Sequence, residues 1–516
     1  MMRLLLGVIV TCALLASGAA SWGAAAPEQP KRGGTFIWGL SANPPDLDPH
    51  VDSGVASGYI KEAVYEGLVR YGDGGAIVPD LAERWGLVGN TQYVFHLRPG
   101  IRFHNGDPLT AADVKFSLER ILDPKTGAAL RGNLMAVRQI EVVDPLTVKI
   151  VLSEPFAPLI AYLAQPYGAI VDAKFVQGGA NLRATMMGTG PFKFVSWEPG
   201  QRIRVVRNEQ YWDRGVPYLD AINYLPIPDD QTRLTALRAG DIMLADFVPQ
   251  EQMNTIQRDP QLKLFYSVGI FMCIIFNPSR KPFDDVRVRQ AIAYAVDRNA
   301  IVKTIFDGRG TPITGDVIPS AWWAHDAKAD GTYTYQPDKA KALLRDAGYP
   351  NGLRISILAP ITFTLHTRTA QVLQAQLAKA GVQVQLDLPE WAVVLHRHLA
   401  GDYQVEVRGL SASVSDPDFL TLFYQSDNPY YAKQVGFKDA QIDGWLEQAR
   451  VSGNQALRKR LYAEITERAL ALSPWVYLAW GDQGEAGRAY VRGYEHFPGP
   501  IGRYSGFSLR TTWIAK

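Results

Sequence analysis

The nearest approach to a metal pair in this sequence is His396 and His398, flanking Arg397. Two positions apart, they leave a helix on different sides. No H-E-x-x-H run or cysteine pair joins them, so a zinc ligand set is missing. Gly188-Thr189-Gly190-Pro191-Phe192 has neither phosphate-loop nor dinucleotide spacing and reads as a turn between core strands. Gly409-Leu410-Ser411-Ala412-Ser413 lacks the closing glycine of a nucleophile elbow. Asp229-Asp230 and Asp284-Asp285 read as helix caps and solvated turns, and His96 as an ordinary strand residue. No nucleophile-base pair, metal site or cofactor cradle is assembled. What remains is aromatic: Trp322, Trp323, Trp391, Tyr424, Tyr430 and Tyr431 fall in or near predicted loops. Such rings offer wide apolar contact and a polar tip that fixes orientation. Core packing is the alternative reading of each.

The 516 residues carry 53 basic and 51 acidic side chains, a net charge of +2. That balance supplies no broad field for nucleic acid or anionic lipid. The length suits two or three lobes. Arg3, the apolar run Leu4 to Leu15 and the small residues through Ala26 have the layout of an export signal, with cleavage expected near Ala25 or Ala26. Cys12 lies inside the apolar run after Thr11, not in a lipid-attachment pattern. Removal of residues 1–26 would leave Cys273 alone, hence no internal disulfide in an exported chain. The expectation is a free periplasmic protein stabilised by a large core.

The elements that must position any site follow from periodicity. Thr91 to Phe103 reads as a hairpin, with Tyr93, Phe95 and Leu97 on one face and Pro99-Gly100 at the turn. Thr110 and Asp113 form a capping box for a helix bearing Val114, Leu118 and Ile121 on one stripe. Leu146 to Leu152 alternates as a strand, and Phe192 to Asn208 as a strand pair around Pro199-Gly200. Asp285 opens a helix with Val288, Ile292, Ala295 and Val296 on one stripe. A further helix runs from Pro337 to Ala347. Leu353–Leu358, His366–Ala380 and Val382–Leu388 then make a β-α-β unit with parallel strands. The stretch after Trp480 turns strand-like again. The expected architecture is α/β, with two lobes joined by a hinge. Lobe I comprises 33–272 and 482–516, and lobe II comprises 273–481.

Several runs resemble the ABC-transporter extracellular solute-binding proteins of family 5, the dipeptide, oligopeptide and nickel type. They are L-D-P-H at Leu47 to His50, A-V-Y-E-G-L-V at Ala63 to Val69, and Y-V-F-H-L-R-P-G-I-R-F-H-N-G-D-P-L-T-A-A-D-V at Tyr93 to Val114. They continue with G-T-G-P-F-K-F at Gly188, R-N-E-Q-Y-W at Arg207, the run from Phe276 to Arg298, and D-K-A-K-A-L-L-R-D-A-G-Y at Asp338 to Tyr349. The resemblance implies a two-lobed periplasmic-binding-protein fold with an extra subdomain in the first lobe at about 77–187. It implies a small-molecule or short peptide-like ligand enclosed between the lobes, and delivery to the permease and ATPase subunits of an importer. The chain is then expected to be a monomer with no catalytic residue, no metal and no cofactor.

The resemblance also implies site residues. Ser53, Gly54 and Val55 follow L-D-P-H and line the ligand cleft in peptide-binding members. Trp391 and, seven positions on, His398 match a cleft tryptophan and a basic residue. The run Gly409, Leu410, Ser411, Ala412, Ser413, Val414, Ser415, Asp416, Pro417 matches G-W-x-x-D-x-x-[DE]-P, whose first aspartate pairs with a peptide's α-amine. Here Leu410 replaces the tryptophan and Ser413 the aspartate. A buried ammonium without a carboxylate is costly, whereas a hydroxyl suits a neutral or anionic group. Asp416 has two readings: a compensating carboxylate, or a turn residue before Pro417. Two other functions stay open: a non-transport periplasmic binder serving a chemoreceptor, and a secreted hydrolase.

Overall fold

A computed structural model describes residues 28–51, 54–412, 414–428, 436–496 and 505–516. Its spine is a sheet built from β1 (Thr35–Leu40), β8 (Phe192–Glu198), β9 (Arg202–Arg207), β10 (Ala221–Pro226), β11 (Leu244–Ala245), β12 (Leu262–Phe276), β13 (Gly310–Pro312), β14 (Leu353–Leu358), β15 (Val382–Asp387), β16 (Val405–Leu410) and β17 (Trp475–Arg488). The order is β15-β14-β16-β12-β17-β11-β1-β10-β9-β8, with β13 paired to β17. Two long antiparallel strands, β12 and β17, join the halves. Only the end of β12 from Phe271 to Phe276 meets β16, and only Ala486 and Gly487 of β17 meet β11.

The pairing of β12 with β17 is irregular between Val268 and Ile270. There the packing on β17 leaves no room for side chains. A Cβ on Gly484 would lie 2.1 Å from the Phe265 carbonyl, and one on Gly481 would lie 2.0 Å from the Phe306 ring. Bulges of this kind bend and twist a strand locally.

Beside the first half stands a separate four-stranded sheet in the order β4-β5-β7-β6, formed by β4 (Ala82–Val88), β5 (Gln92–Leu97), β6 (Val137–Asp144) and β7 (Thr147–Leu152). A hairpin of β2 (Val69–Tyr71) and β3 (Ile77–Pro79) precedes it. The hairpin expected over Thr91–Phe103 is corrected in part. Gln92–Leu97 is a strand, but it pairs with β4 before it and β7 after it. Beyond Pro99-Gly100 the chain makes a compact turn in which Phe103 N–H donates to the Asp107 carbonyl and Gly106 N–H to the Phe103 carbonyl. Pairing with distant β7 outcompetes the local return because it buries Phe95 against Val148 on one core face.

Other local expectations match. Thr110 and Asp113 form the capping box of the helix Ala111–Leu122, with Val114, Leu118 and Ile121 buried. The helix Val286–Ala295 is capped by Asp285 and the helix Asp230–Ala239 by Asp229. β14 and β15 are parallel in the register Leu353 to Val382.

The second half of the sheet has two covered faces. Met272, Ile274, Val405 and Val407 join a core roofed by the helices Val286–Ala295, Arg298–Ile305, Pro337–Asp346 and Thr364–Ala378. Phe271, Cys273, Trp475 and Tyr477 face the other way, into a core shared with Phe95, Ile150 and Tyr162 of the subdomain. The wall between the lobes is therefore the second face.

Candidate functional site

Strand β16 reads Val-Glu-Val-Arg-Gly-Leu. Residues opposite one another in adjacent strands share a face. Phe271 lies opposite Leu410, and Cys273 opposite Arg408. Glu406, Arg408 and Leu410 therefore lie on the wall toward the subdomain. Glu406 is fully buried and doubly matched: His398 Nδ1 is 2.7 Å from Oε2, and Arg408 Nη1 is 2.9 Å from Oε1. The Arg408 guanidinium lies 4.6 Å from the ring centre of Trp391, a cation-π contact that leaves an apolar roof over a cation.

Of the sequence-derived residues, Trp391, His398, Gly409, Leu410 and Ser411 fall around this patch. Trp391 opens the helix Trp391–Leu399, its N–H donating to Thr362 Oγ1 at 3.0 Å and its ring 5.6 Å from that of Phe363. His398, near the end of that helix, is fully buried and stacked on Tyr403. Its imidazole supports Glu406 rather than presenting a free polar edge. Gly409 N–H donates to His366 Nε2 at 2.9 Å. A Cβ at Gly409 would sit 2.7 Å from Ile270 Cδ1 and 3.0 Å from the Met272 sulfur, so glycine lets this strand pack. Leu410 and Ser411 continue the wall, half-buried.

Asp416 is held at both oxygens by Arg458, at 2.6 and 2.9 Å, and caps the turn by accepting Asp418 N–H. Burial pushes its carboxyl up, and the Arg458 charge opposes that shift. The structure thus gives Asp416 both a turn role and a matched charge. Ser53, Ser413, Tyr430 and Tyr431 lie outside the described residues. Gly54 (φ 89°) is the N-cap of the helix Val55–Val64. With Val55, Lys61, Glu62 and Tyr167 it lines a recess of about 10 Å³, room for little more than a water.

Residues that sequence reading passed over close the wall. Asp418, fully buried, accepts Tyr162 Oη–H at 2.8 Å from the subdomain, and Arg450 Nε and Nη2 at 2.8 and 3.1 Å. Ala157 N–H donates to the Arg450 carbonyl at 2.7 Å, and the Arg450 guanidinium rests on Phe156. The signal available beforehand was only the D-P-D spelling at Asp416 to Asp418. His50, in the L-D-P-H run, lies in a structural cluster. Its Nδ1 is 2.7 Å from Arg120 Nη1, its Nε2 is 2.9 Å from the Ala169 carbonyl, and Arg120 is paired with Asp48. Burial pulls His50 down to about 4, so it is neutral at pH 7 and pins the subdomain helix.

Next to the wall, a cavity of about 490 Å³ opens between the β2–β3 hairpin tip at Gly74 and Gly75 and the loop from Thr311 to Asp330. Trp480 lies on its boundary, and the Trp480 ring packs edge-on against Phe271 at 4.8 Å. Trp322 and Trp323 lie on that loop, each meeting another ring edge-on: Phe419 for the first and Tyr462 for the second. Tyr424 is buried, with its hydroxyl 2.5 Å from that of Tyr477. Among the described residues, no cluster of three or more metal-ligating side chains occurs.

Two half-sheets joined by two crossing strands, with a polar and aromatic wall facing a subdomain, form an enclosing cleft. Residues 76–431 match the model for bacterial extracellular solute-binding proteins, family 5. The chain belongs to that family. It is 31% identical over 452 residues to the glutathione-binding protein GsiB of Escherichia coli K12, covering 85% of this chain and 87% of the relative. Among solved structures it is similar to AgaA in complex with agropinic acid from A. tumefaciens R10, at 39% identity and TM-score 0.81, covering 93% of this chain and 99% of that one. It is also similar to the ABC transporter-associated periplasmic binding protein DppA of Helicobacter pylori in complex with the peptide STSA. That match is at 27% identity and TM-score 0.79, covering 94% and 99%.

The fold is the two-lobed periplasmic-binding-protein fold, and the function is that of the solute-binding component of an ABC importer. Such proteins capture substrate for a permease and ATPase and are periplasmic or extracellular. Among the described residues no helix is long and apolar enough to cross a membrane.

Proposed function

We propose that this solute-binding protein captures a small acid whose recognised end is not a free ammonium, and that it does so without turnover. The observation that carries the reading is charge matching on the wall between the lobes. From Val405 to Tyr424 the acidic residues are Glu406, Asp416 and Asp418. Each is already paired with an arginine: Glu406 with Arg408, beside its contact to the His398 ring, Asp416 with Arg458, and Asp418 with Arg450. An incoming ammonium would have to displace a buried arginine to gain a carboxylate, and breaking such a pair costs roughly 3–5 kcal/mol. An acid needs no carboxylate from the wall, and the Arg408 guanidinium, which lies beneath Trp391 and also holds Glu406, has the planar donor geometry suited to a carboxylate. Ser413, where a peptide binder carries aspartate, favours the same class. The likeness to AgaA with agropinic acid bound supports it.

In this reading Trp391, Arg408, Leu410, Ser411 and Ser413 meet the solute. His398 and Asp416 hold the wall in shape. Ser53, Gly54 and Val55 close it from the first lobe. Residues 1–26 are removed on export, the mature protein is a monomer in the periplasm, and the permease and ATPase of one importer are its partners. Native mass spectrometry of the protein purified gently from periplasm reads the retained solute directly. The expected mass adduct is an acid without a primary amine. A ladder of ordinary peptides would refute the proposal, and glutathione would place the chain with GsiB in ligand as well as in family.

A further inference from the structure

A second cavity lies near the wall. It is bounded by both lobes: Gly74 and Gly75 from the hairpin tip, Val268 and Trp480 from the crossing strands, and Ile318 and Trp322 from the loop beyond β13. At about 490 Å³ it falls in the range of small-molecule pockets, and its boundary is chiefly apolar and aromatic. The loop that walls it is braced rather than loose. Asp316, buried, accepts Ile318 N–H and Asp326 N–H, both at 2.9 Å. His325 is gripped at both ring nitrogens, by the Ile318 carbonyl at 2.7 Å and Asp330 at 3.1 Å. A preformed apolar chamber costs little to fill, because its side chains are already ordered. Packed side chains link the chamber's boundary to the wall: Trp480 packs on Phe271, and Phe271 lies opposite Leu410, two residues from Arg408.

We infer that this cavity is a second compartment of the ligand site and takes a compact apolar or aromatic group of the same solute. The inference rests on the reading that the solute is enclosed between the lobes with its acid at the Arg408 wall. Trp322, Trp480 and Val268 then set ligand size and shape, while Arg408 sets charge. The exposed Thr311, on the rim at β13, is the place to block the chamber without disturbing the core.

The test uses acetate, phenylacetate and benzyl alcohol as probes, titrated by calorimetry into the mature full-length protein, into Thr311→Trp and into Trp322→Ala. Phenylacetate is expected to bind at least tenfold tighter than acetate. Benzyl alcohol is expected to bind detectably, and Thr311→Trp to weaken both aromatic probes at least tenfold with an unchanged melting temperature. Benzyl alcohol binding that is lost in Thr311→Trp, with no preference for phenylacetate, supports the compartment while overturning the acid reading of the wall. Aromatic probes that bind no tighter than acetate, or that bind both variants as they bind the unmutated protein, overturn the compartment.

Discussion

The Tyr162 hydroxyl donates to Asp418 at 2.8 Å across 256 residues of sequence, joining the subdomain to the far wall of the cleft. Both side chains are buried, and Arg450 holds the same carboxylate with two nitrogens while its carbonyl accepts Ala157 N–H. This contact ties the subdomain to the second lobe.

Removing only the hydroxyl, in Tyr162→Phe, leaves Asp418 paired with Arg450 and so preserves the fold. A hydrogen bond to a charged acceptor contributes about 1.5–3 kcal/mol. The closed form should lose that much relative to the open one, weakening solute affinity on the order of tenfold or more. Solution scattering should show a larger radius of gyration for the ligand-bound variant. Unchanged affinity and unchanged dimensions would show that the contact carries no closing energy.

Arg458→Ala strands Asp416 inside the wall. Truncating one partner of a buried ion pair costs roughly 3–5 kcal/mol, and burial already pushes the Asp416 carboxyl up. Denaturant unfolding at pH 7 should show a loss of that order, and Asp416→Asn in the Arg458→Ala background should restore part of it. A loss below about 1 kcal/mol would contradict the geometry, since that is the range of an exposed pair.

His366 couples the cleft to pH. Burial, and then the Arg408 charge, pull it down to about 4 from 6.5. Its Nε2 accepts Gly409 N–H, so the proton of the neutral ring sits on Nδ1. Between pH 6.5 and 4 the unfolded chain binds a proton here that the folded protein refuses. This contribution is therefore fully present above pH 6.5 and declines as pH falls toward 4, by on the order of 3 kcal/mol. His366→Gln can still accept from Gly409 N–H but does not titrate. The variant should lose less stability than the unmutated protein between pH 7 and 4.5. Parallel curves would show that the His366 ring does not resist protonation.

Elements set by neighbours in sequence were legible in advance: the Thr110–Asp113 capping box, the strand pair around Pro199-Gly200, and parallel β14 and β15. The wall itself was much harder to read. Val405-Glu406-Val407-Arg408 spells a half-solvated strand, with charges alternating outward. Instead both faces are covered, and the charges neutralise one another inside. That requires β12 to lie beside β16 from more than a hundred residues away. His398 was legible as a basic residue near a tryptophan, but its partner Glu406 was not, because only the turn after the helix Trp391–Leu399 brings them together. Tyr162 and Asp418 meet only through the packing of the subdomain on the second lobe, which no local pattern encodes.

In the proposed reading the wall prefers an acid to an ammonium. Its most direct test is calorimetry of the mature protein, freed of endogenous solute by unfolding and refolding, with agropinic acid and the peptide Ser-Thr-Ser-Ala titrated side by side. The acid is expected to bind at least a hundredfold tighter, and Arg408→Gln to abolish most of that advantage. Tight binding of the peptide, equal to or better than that of the acid and insensitive to Arg408→Gln, would contradict that reading.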